Sequence, residues 1–419
     1  MSDSSTSRRD FLKASAAVTA AAMVVPGQLF ASGSDALRVG LIGCGGRGNG
    51  AAHDCISSAP GVTLTALGDV FKDRLDASAE HLEGLLEDRF DVPAERRFTG
   101  FDAYQQVLAT DVDIVILATP PGFRPIHLAA AIAAGKHVFM EKPAAVDPTG
   151  VRSVLESSQL AAKRGLAIVA GTQRRHEKRY RETIQCIHDG AIGDLVAAQC
   201  YWNQGGLWVH GRRPEYSDME WQLRNWLYFT WASGDHIVEQ HVHNIDVINW
   251  AFRTHPVKAT AMGGRQVRTA PQYGNIFDHF AVEFEYPGGV LVQSMCRQID
   301  GTSSRVSERL VGTKGVSNAR DRIRGEVDYH FSERDVPNPY VQEHTDLITS
   351  IRAGTPLNEG RQIAESTLCA VMGRMSAYTG KEVTWDFAMQ SKLDLVPKTF
   401  AFDELAIDAV AVPGQTPLI

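Results

Sequence analysis

The sequence predicts an α/β protein in two parts: a doubly wound parallel sheet in the N-terminal half, then an α+β region whose strands build a second sheet. Three observations carry this expectation. From residue 37 to 171, short apolar runs alternate with helical stretches, as strands buried on both faces of a parallel sheet require. The first run ends in a glycine-rich turn and the second in an aspartate. Beyond Gly190 the pattern changes to strand-like segments punctuated by a Pro287-Gly288-Gly289 hairpin signal. A length of 419 residues, at about 150 residues per domain, also fits two or three units.

Composition bounds the ligand. With 44% hydrophobic residues, 22% charged residues and a net charge of −7, the chain offers no basic face for nucleic acid, so a small-molecule partner is expected. Six cysteines (Cys44, Cys55, Cys186, Cys200, Cys296, Cys369) form no CxxC pair, which argues against structural zinc and a disulfide scaffold and for small core hydrophobes.

Residues 1–34 read as an export signal and linker. Ser7-Arg8-Arg9-Asp10-Phe11-Leu12-Lys13 sets paired arginines before the Ala-rich run from Ala14 to Val25, the twin-arginine form, with cleavage near Ala31. That run falls short of the roughly 20 strongly apolar residues a permanent span needs. A periplasmic or secreted protein without stable membrane insertion is expected.

Residues 35–172 then form a nucleotide-binding unit. Leu37 to Ile42 reads as a strand, Gly43-Cys44-Gly45-Gly46-Arg47-Gly48 as a turn into a helix, and Val62 to Leu67 as a second strand leading to Asp69. Gly43 makes the turn, Gly45 lets backbone N–H groups approach a pyrophosphate, and Gly48 lets helix and strand close up. Gly46 and Arg47 lie at the helix N-terminus, where the dipole favours phosphate. Asp69 sits where a carboxylate accepts ribose hydroxyls and repels a 2′-phosphate, favouring NAD over NADP. Val112 to Ala118, ending in Thr119-Pro120, and His137 to Met140, ending in Glu141-Lys142-Pro143, supply two more strands around a helix from Ile126 to Ala134. Ligands sit at the carboxyl ends of such strands, which makes Thr119, Pro120, His127 in the following helix, Glu141 and Lys142 further candidates for cofactor contact.

With these motifs in order, and a histidine-rich segment after them, the chain resembles the Gfo/Idh/MocA oxidoreductases over nearly all of its length after the signal. The resemblance implies a Rossmann domain paired with an open-faced, mostly antiparallel sheet domain, here residues 173–419. It further implies hydride transfer between a nicotinamide and a sugar or cyclitol hydroxyl, with Lys142 of the EKP motif in the catalytic site before a cis proline. Self-association through the open sheet face is expected.

In the second half, Leu166 to Gly171 reads as a last parallel strand and Tyr180 to His188 as a crossover helix. Leu195 to Tyr201, Lys258 to Met262, Asp278 to Tyr286 and Val290 to Cys296 read as strands of the second sheet. Gly234-Asp235-His236-Ile237-Val238-Glu239-Gln240-His241-Val242-His243-Asn244-Ile245-Asp246 holds three imidazoles and three carboxylates. As one helix, it gathers Glu239, His243, Asp246 and Trp250 within an arc of roughly 60°, while His241 falls on the apolar arc as a buried structural histidine. Too few ligands share one face for a metal, and no HExxH motif supplies them, so none is expected. The expected device is an acid/base pair: His243 as base, Glu239 orienting it, Lys142 binding the same substrate oxygen. The resembled pattern has aspartate and glycine where this chain has Glu239 and His241. Arg174, Arg175, Tyr201 and Asp246 are the candidate hydroxyl-binding residues, with Trp202, Asp278, His279 and Arg297 as further possibilities. Two other outcomes stay open: an NAD-dependent glycosidase working through a transient 3-keto sugar, and a non-catalytic NAD-binding sensor.

Overall fold

The computed structural model describes residues 36–419; the export signal expected at residues 1–34 lies outside the described residues. The first sheet holds six parallel strands: β1 (Leu37–Ile42), β2 (Val62–Asp69), β3 (Arg97–Thr99), β4 (Ile114–Leu117), β5 (His137–Met140) and β6 (Ile168–Ala170). They lie in the order β3-β2-β1-β4-β5-β6, so the winding reverses between β1 and β4. Successive residues of each strand enter opposite cores. Val39, Leu41, Ile114, Ile116 and Phe139 face one helical layer, while Ile42, Val115, Leu117, Val138 and Met140 face the other. Burial on both faces explains the unbroken apolar runs.

The helices carry ordinary punctuation. In the helix Pro148–Arg164, Asp147 caps by accepting from Gly150 N at 2.7 Å, Pro148 occupies the first turn, Lys163 and Arg164 the last, and Gly165 turns left-handed. The crossover helix spans Lys178–His188.

The second sheet has nine strands: β7 (Leu195–Gln204), β8 (Lys258–Gly264), β9 (His279–Tyr286), β10 (Val290–Gln298), β11 (Arg305–Gly312), β12 (Gly315–Ser317), β13 (Arg322–Gly325), β14 (Tyr329–His330) and β15 (Val383–Thr384). Their order is β14-β13-β12-β11-β7-β10-β9-β8-β15, antiparallel except where β7 meets β10. Gly288 and Gly289, both at positive φ, turn the β9–β10 hairpin. One face is packed, with Phe280, Cys296 and Trp202 in one cross-strand row. The other is open, its matching row running Met262, Ala281, Met295, Tyr201, Ser307 with Met262 78% exposed.

Three features depart from the expected layout. The strands β12 to β14 carry no clear signal because they are two to four residues long, and β11, eight residues reading RVSERLVG, is rich in polar side chains. The segment expected as one helix from His236 breaks into His236–Glu239 and Val242–Phe252. The chain also returns to the first sheet at its end, where Asn358 bridges to Ile168 and Glu359 accepts from Ala170 N at 2.9 Å. The helix Gly360–Thr379 that follows is buried along most of its length and packs against the helix 148–164 and β8. Five of the six cysteines are buried and all are free.

His176 ties this return together. Its Nδ1 lies 2.7 Å from Asp346 on the helix Pro339–Arg352, and its Nε2 lies 3.3 Å from Glu359. Burial opposes the charge, but the two carboxylates outweigh it and raise the pKa from 6.5 to about 9. A folded pKa above the unfolded one means a contribution fully present below about pH 6.5 and lost as pH climbs through 9. Urea unfolding of the wild type and His176→Gln is therefore expected to differ by on the order of 2 kcal/mol at pH 6, with the gap closing by pH 10. A constant gap across that range would reject the charged triad.

Candidate functional site

The crevice at the carboxyl ends of β1, β2 and β4 contains a cavity of about 660 Å³. Gly43, Gly45, Gly46, Arg47, Gly48, Asp69, Thr119, Pro120 and His127 all line it. Gly43 has φ 101°, and a Cβ there would sit 2.6 Å from Thr119 N. A Cβ at Gly48 would lie 1.9 Å from the Gly43 carbonyl oxygen, so helix and strand approach only through glycine. At Gly45 and Gly46 a Cβ would meet nothing within 4 Å, and that open space is the cradle. The helix Gly46–Ser57 starts without a side-chain cap, so no side chain competes for its first N–H groups. The residues present fit a dinucleotide.

Asp69 is held by two backbone donors, Cys44 N at 2.7 Å and Phe71 N at 2.8 Å. Burial raises its pKa, partly offset by these N–H groups. His127 stacks on Tyr104 and lies 3.2 Å from Thr119 Oγ1; burial pushes it down to about 3, so it is neutral. Glu141, expected at the cofactor, instead holds Arg47 at 2.5 Å and is not part of the cavity wall. Trp208, His210, Leu223 and Trp226 complete the wall from the segment after β7. Leu223 and Trp226 of this cover belong to a separate apolar cluster joining Phe71 and Phe123 to Trp221, Leu227 and Trp231, with Leu395, Phe400 and Leu405 of the C-terminal segment against it. The tail is pinned there by Gln222 Nε2 donating to Leu405 O at 2.7 Å. The aromatic-rich run from Trp221 to Trp231 is the sequence signal for this cover, and it follows neither strand nor helix periodicity.

Lys142 follows β5, and the Lys142–Pro143 peptide is cis. It lies outside the cavity wall. Its Nζ donates to the Glu239 backbone oxygen at 2.7 Å and to Glu239 Oε1 at 3.0 Å. This corrects the expected Glu239–His243 pair. The cause is the helix break: His241 N reaches back five residues to His236 O at 3.1 Å, and the wide turn takes Glu239 out of phase with His243. His243 instead stacks on Trp202, with centroids 5.7 Å apart. Burial, then the charges of Lys142, Arg174 and Arg47, hold its pKa well below the usual value. The imidazole is thus neutral and able to take a proton.

The expected substrate residues divide. Arg174 lies over Trp202 and pairs with Glu308 at 2.5 Å, where Asn244 and Tyr180 also donate. Glu308 was missed because β11 carried no strand signal. Arg175 and Asp246 form a two-bond ion pair with each other at 2.7 and 2.8 Å, which Ser366 joins, so both are corrected to a structural cross-link. Tyr201 is corrected too: strand alternation puts it on the open face beneath Arg305, opposite Trp202. Asp278 is fully buried and accepts from Gln266, Val267 and Arg268 N–H groups. His241 is fully buried, 2.7 Å from Ser294 Oγ, and driven to about pKa 3 by burial, as the apolar arc implied. Among the described residues no group of three or more His, Cys, Asp or Glu side chains is placed to hold a metal ion.

Comparison with known proteins agrees with this geometry. Residues 37–172 match the oxidoreductase family with an NAD-binding Rossmann fold, and residues 180–317 match the Gfo/Idh/MocA C-terminal domain. The chain belongs to the Gfo/Idh/MocA oxidoreductase family. NAD is accordingly the dinucleotide of its cradle. Residues 5–25 match the twin-arginine translocation signal, which marks the protein for export. Inositol 2-dehydrogenase 4 of Saccharopolyspora erythraea is 32% identical over 61% of this chain and 65% of its own length. A glycosyl hydrolase family 109 protein of Streptomyces coelicolor is 32% identical over 42% of this chain and 35% of its own length. The alignments therefore span less than two thirds of these curated relatives. The structure of scyllo-inositol dehydrogenase from Lactobacillus casei, with bound NAD(H) and scyllo-inositol, superposes with a TM-score of 0.63 at 20% identity, covering 83% of this chain and 99% of that one.

The two histidines are expected to separate cleanly. His241→Ala should lower stability by about 1 to 3 kcal/mol through an unpaired buried partner while activity per folded molecule is kept. His243→Ala should leave the melting temperature and NAD affinity near normal and cut single-turnover cofactor reduction by about 10² to 10⁴. Equal rate losses in both, together with stoichiometric metal and chelator sensitivity, would overturn this division.

Proposed function

We propose that the protein is an NAD-dependent oxidoreductase acting on a hydroxyl of a sugar, glycoside or cyclitol in the periplasm or outside the cell, with the cofactor tightly held. The observation that carries this reading is a neutral, buried His243 under the charges of a positioned Lys142, of Arg174 and of Arg47, the last of which lines the dinucleotide cradle. NAD, when bound, supplies two-electron chemistry. The chain's own residues supply the rest. His243 takes the proton of the reacting hydroxyl. Lys142 has two of its three hydrogens committed to Glu239, leaving one for the same oxygen, whose growing negative charge the ammonium favours. Glu239 is the positioning group for Lys142. Trp202 walls one face of the imidazole.

Export makes a loosely held nucleotide costly, because free NAD is scarce outside the cytoplasm. The cover from Trp208 to Trp226 and its pinned tail support retention. One bound cofactor would then be reduced and reoxidised in place, either by a second carbonyl compound or by the same substrate after an intermediate step. The second route would serve redox-neutral glycoside cleavage, and the resemblance to a glycosyl hydrolase family 109 protein keeps that reading in view. A second copy covering the open face with Met262 and Met295 belongs to the same proposal.

Native mass spectrometry of the purified mature protein is expected to show bound NAD, and incubation with a sugar panel to give paired oxidised and reduced products. Fully apo protein with only millimolar NAD affinity would count against retention, and hydrolysed glycoside without redox pairs would favour the cleavage reading. Asp69→Ala should narrow the preference for NAD over NADP; an unchanged ratio would reject that role.

A further inference from the structure

Resting on the oxidoreductase reading, we infer that the substrate ring is uncharged, a neutral polyol without carboxylate, phosphate or ammonium. The charges around His243 carry this. Three cations bear on the imidazole: Lys142, Arg174 and Arg47. Each is already matched. Lys142 pairs with Glu239 at 3.0 Å, Arg174 with Glu308 at 2.5 Å, and Arg47 with Glu141 at 2.5 Å, with Asp54 and Glu343 at 3.7 and 3.6 Å beyond it. Arg175 is likewise taken, by Asp246. A carboxylate or phosphate entering here would meet no uncommitted cation, and would lie against Glu239 and Glu308 in a setting buried enough for repulsion to count. An ammonium would lie against the same three cations.

The hydrogen-bonding inventory points the same way. Glu239 Oε2 is buried and has no hydrogen-bond partner among the described residues, a carboxyl oxygen open to a donor. A hydroxyl supplies an O–H there; a carboxylate or dianionic phosphate supplies none. Glu308 is filled by Arg174, Asn244 and Tyr180, so it offers an entering ammonium no free acceptor. Trp202 contributes an aromatic wall beside His243, which suits the apolar C–H face of a sugar or cyclitol ring. Recognition is thus by hydroxyl pattern, and discrimination against charged analogues is built from paired charges.

The test uses matched sets on the NAD-loaded protein: myo-inositol against an inositol monophosphate, and glucose against glucuronate, glucosamine and glucose 6-phosphate. Binding is read by thermal shift and titration, chemistry by single-turnover absorbance of the bound cofactor. Neutral members are expected to bind at least about tenfold more tightly than their charged partners. Glu239→Gln, which leaves Lys142 without its counter-charge, should move that ratio at least about tenfold toward glucuronate, whereas a purely structural Glu239 would lower all affinities alike. Tighter binding of glucuronate or the phosphates by the wild type would overturn the inference while leaving the oxidoreductase reading intact. Preferential binding of neutral rings with no cofactor reduction would overturn the oxidoreductase reading and uphold the inference. No binding by either set overturns both.

Discussion

A fully buried carboxylate, Asp235, sets the geometry on which the site depends. Its Oδ1 accepts from His236 N at 2.6 Å and faces His236 Nδ1 at 3.0 Å, while Oδ2 accepts from Phe277 N at 2.8 Å and Tyr378 OH at 2.5 Å. These donors, led by His236, hold its pKa below the usual carboxylate range against the opposing effect of burial. One side chain thereby joins the short helix 236–239, the start of β9 and the long helix 360–379. Its backbone sits at φ 72°, a region that costs a non-glycine residue about 1 to 3 kcal/mol, so the four contacts must overdetermine the position. An anion without water demands this many donors, and their directions leave little freedom for the segment that follows.

That constraint propagates through the helix break to the chemistry. With Asp235 fixed, Glu239 ends a single turn and falls within reach of Lys142, whose own position is set by β5 of the other sheet. The pair is therefore a joint between the two sheets as well as a part of the site. Past the wide turn, the helix 242–252 begins afresh with His243 against Trp202. The result keeps the two groups apart: a carboxylate beside the lysine, and an imidazole stacked on Trp202. A histidine hydrogen-bonded to Glu239 would have been pulled toward its charged form, which cannot accept a proton. Burial among matched cations does the opposite.

Much of this was legible from the chain alone, for physical reasons. The parallel sheet announced itself because strands buried on both faces are apolar throughout, and β1 and β5 fall on the expected residues, Leu37 to Ile42 and His137 to Met140. The glycine cradle was legible because steric need admits no other residue at Gly43 or Gly48. His241 was placed correctly because burial follows the apolar arc locally. What failed did so at long range or at breaks in period. Tyr201 and Trp202 are neighbours in sequence, and only the register of β7 decides which faces His243. Arg175 and Asp246 looked like free polar groups because their partners are each other, 71 residues apart. Glu239 was misassigned because a uniform 100° step runs straight through a turn that is not α-helical.

The third apolar cluster adds a different kind of coupling. Phe71 and Phe123 lie at the carboxyl ends of the first sheet, Trp221 to Trp231 follow β7, and Leu395 to Leu405 come from the end of the chain, so none of these pieces has a core without the others. Three of its buried members, Phe71, Phe123 and Leu223, also face the dinucleotide cavity. Any ligand that packs on them there stabilises the docked cover and tail, and by reciprocity the docked tail tightens that ligand. The tilted ring contacts of Phe400 with Phe123 at 4.8 Å, and of Phe402 with Phe101 at 5.0 Å, give this coupling its contact surface. A cleft walled in this way gains affinity from residues that never touch the nucleotide. It also explains why a family cradle of ordinary glycines is accompanied here by an aromatic-rich segment with no part in either sheet.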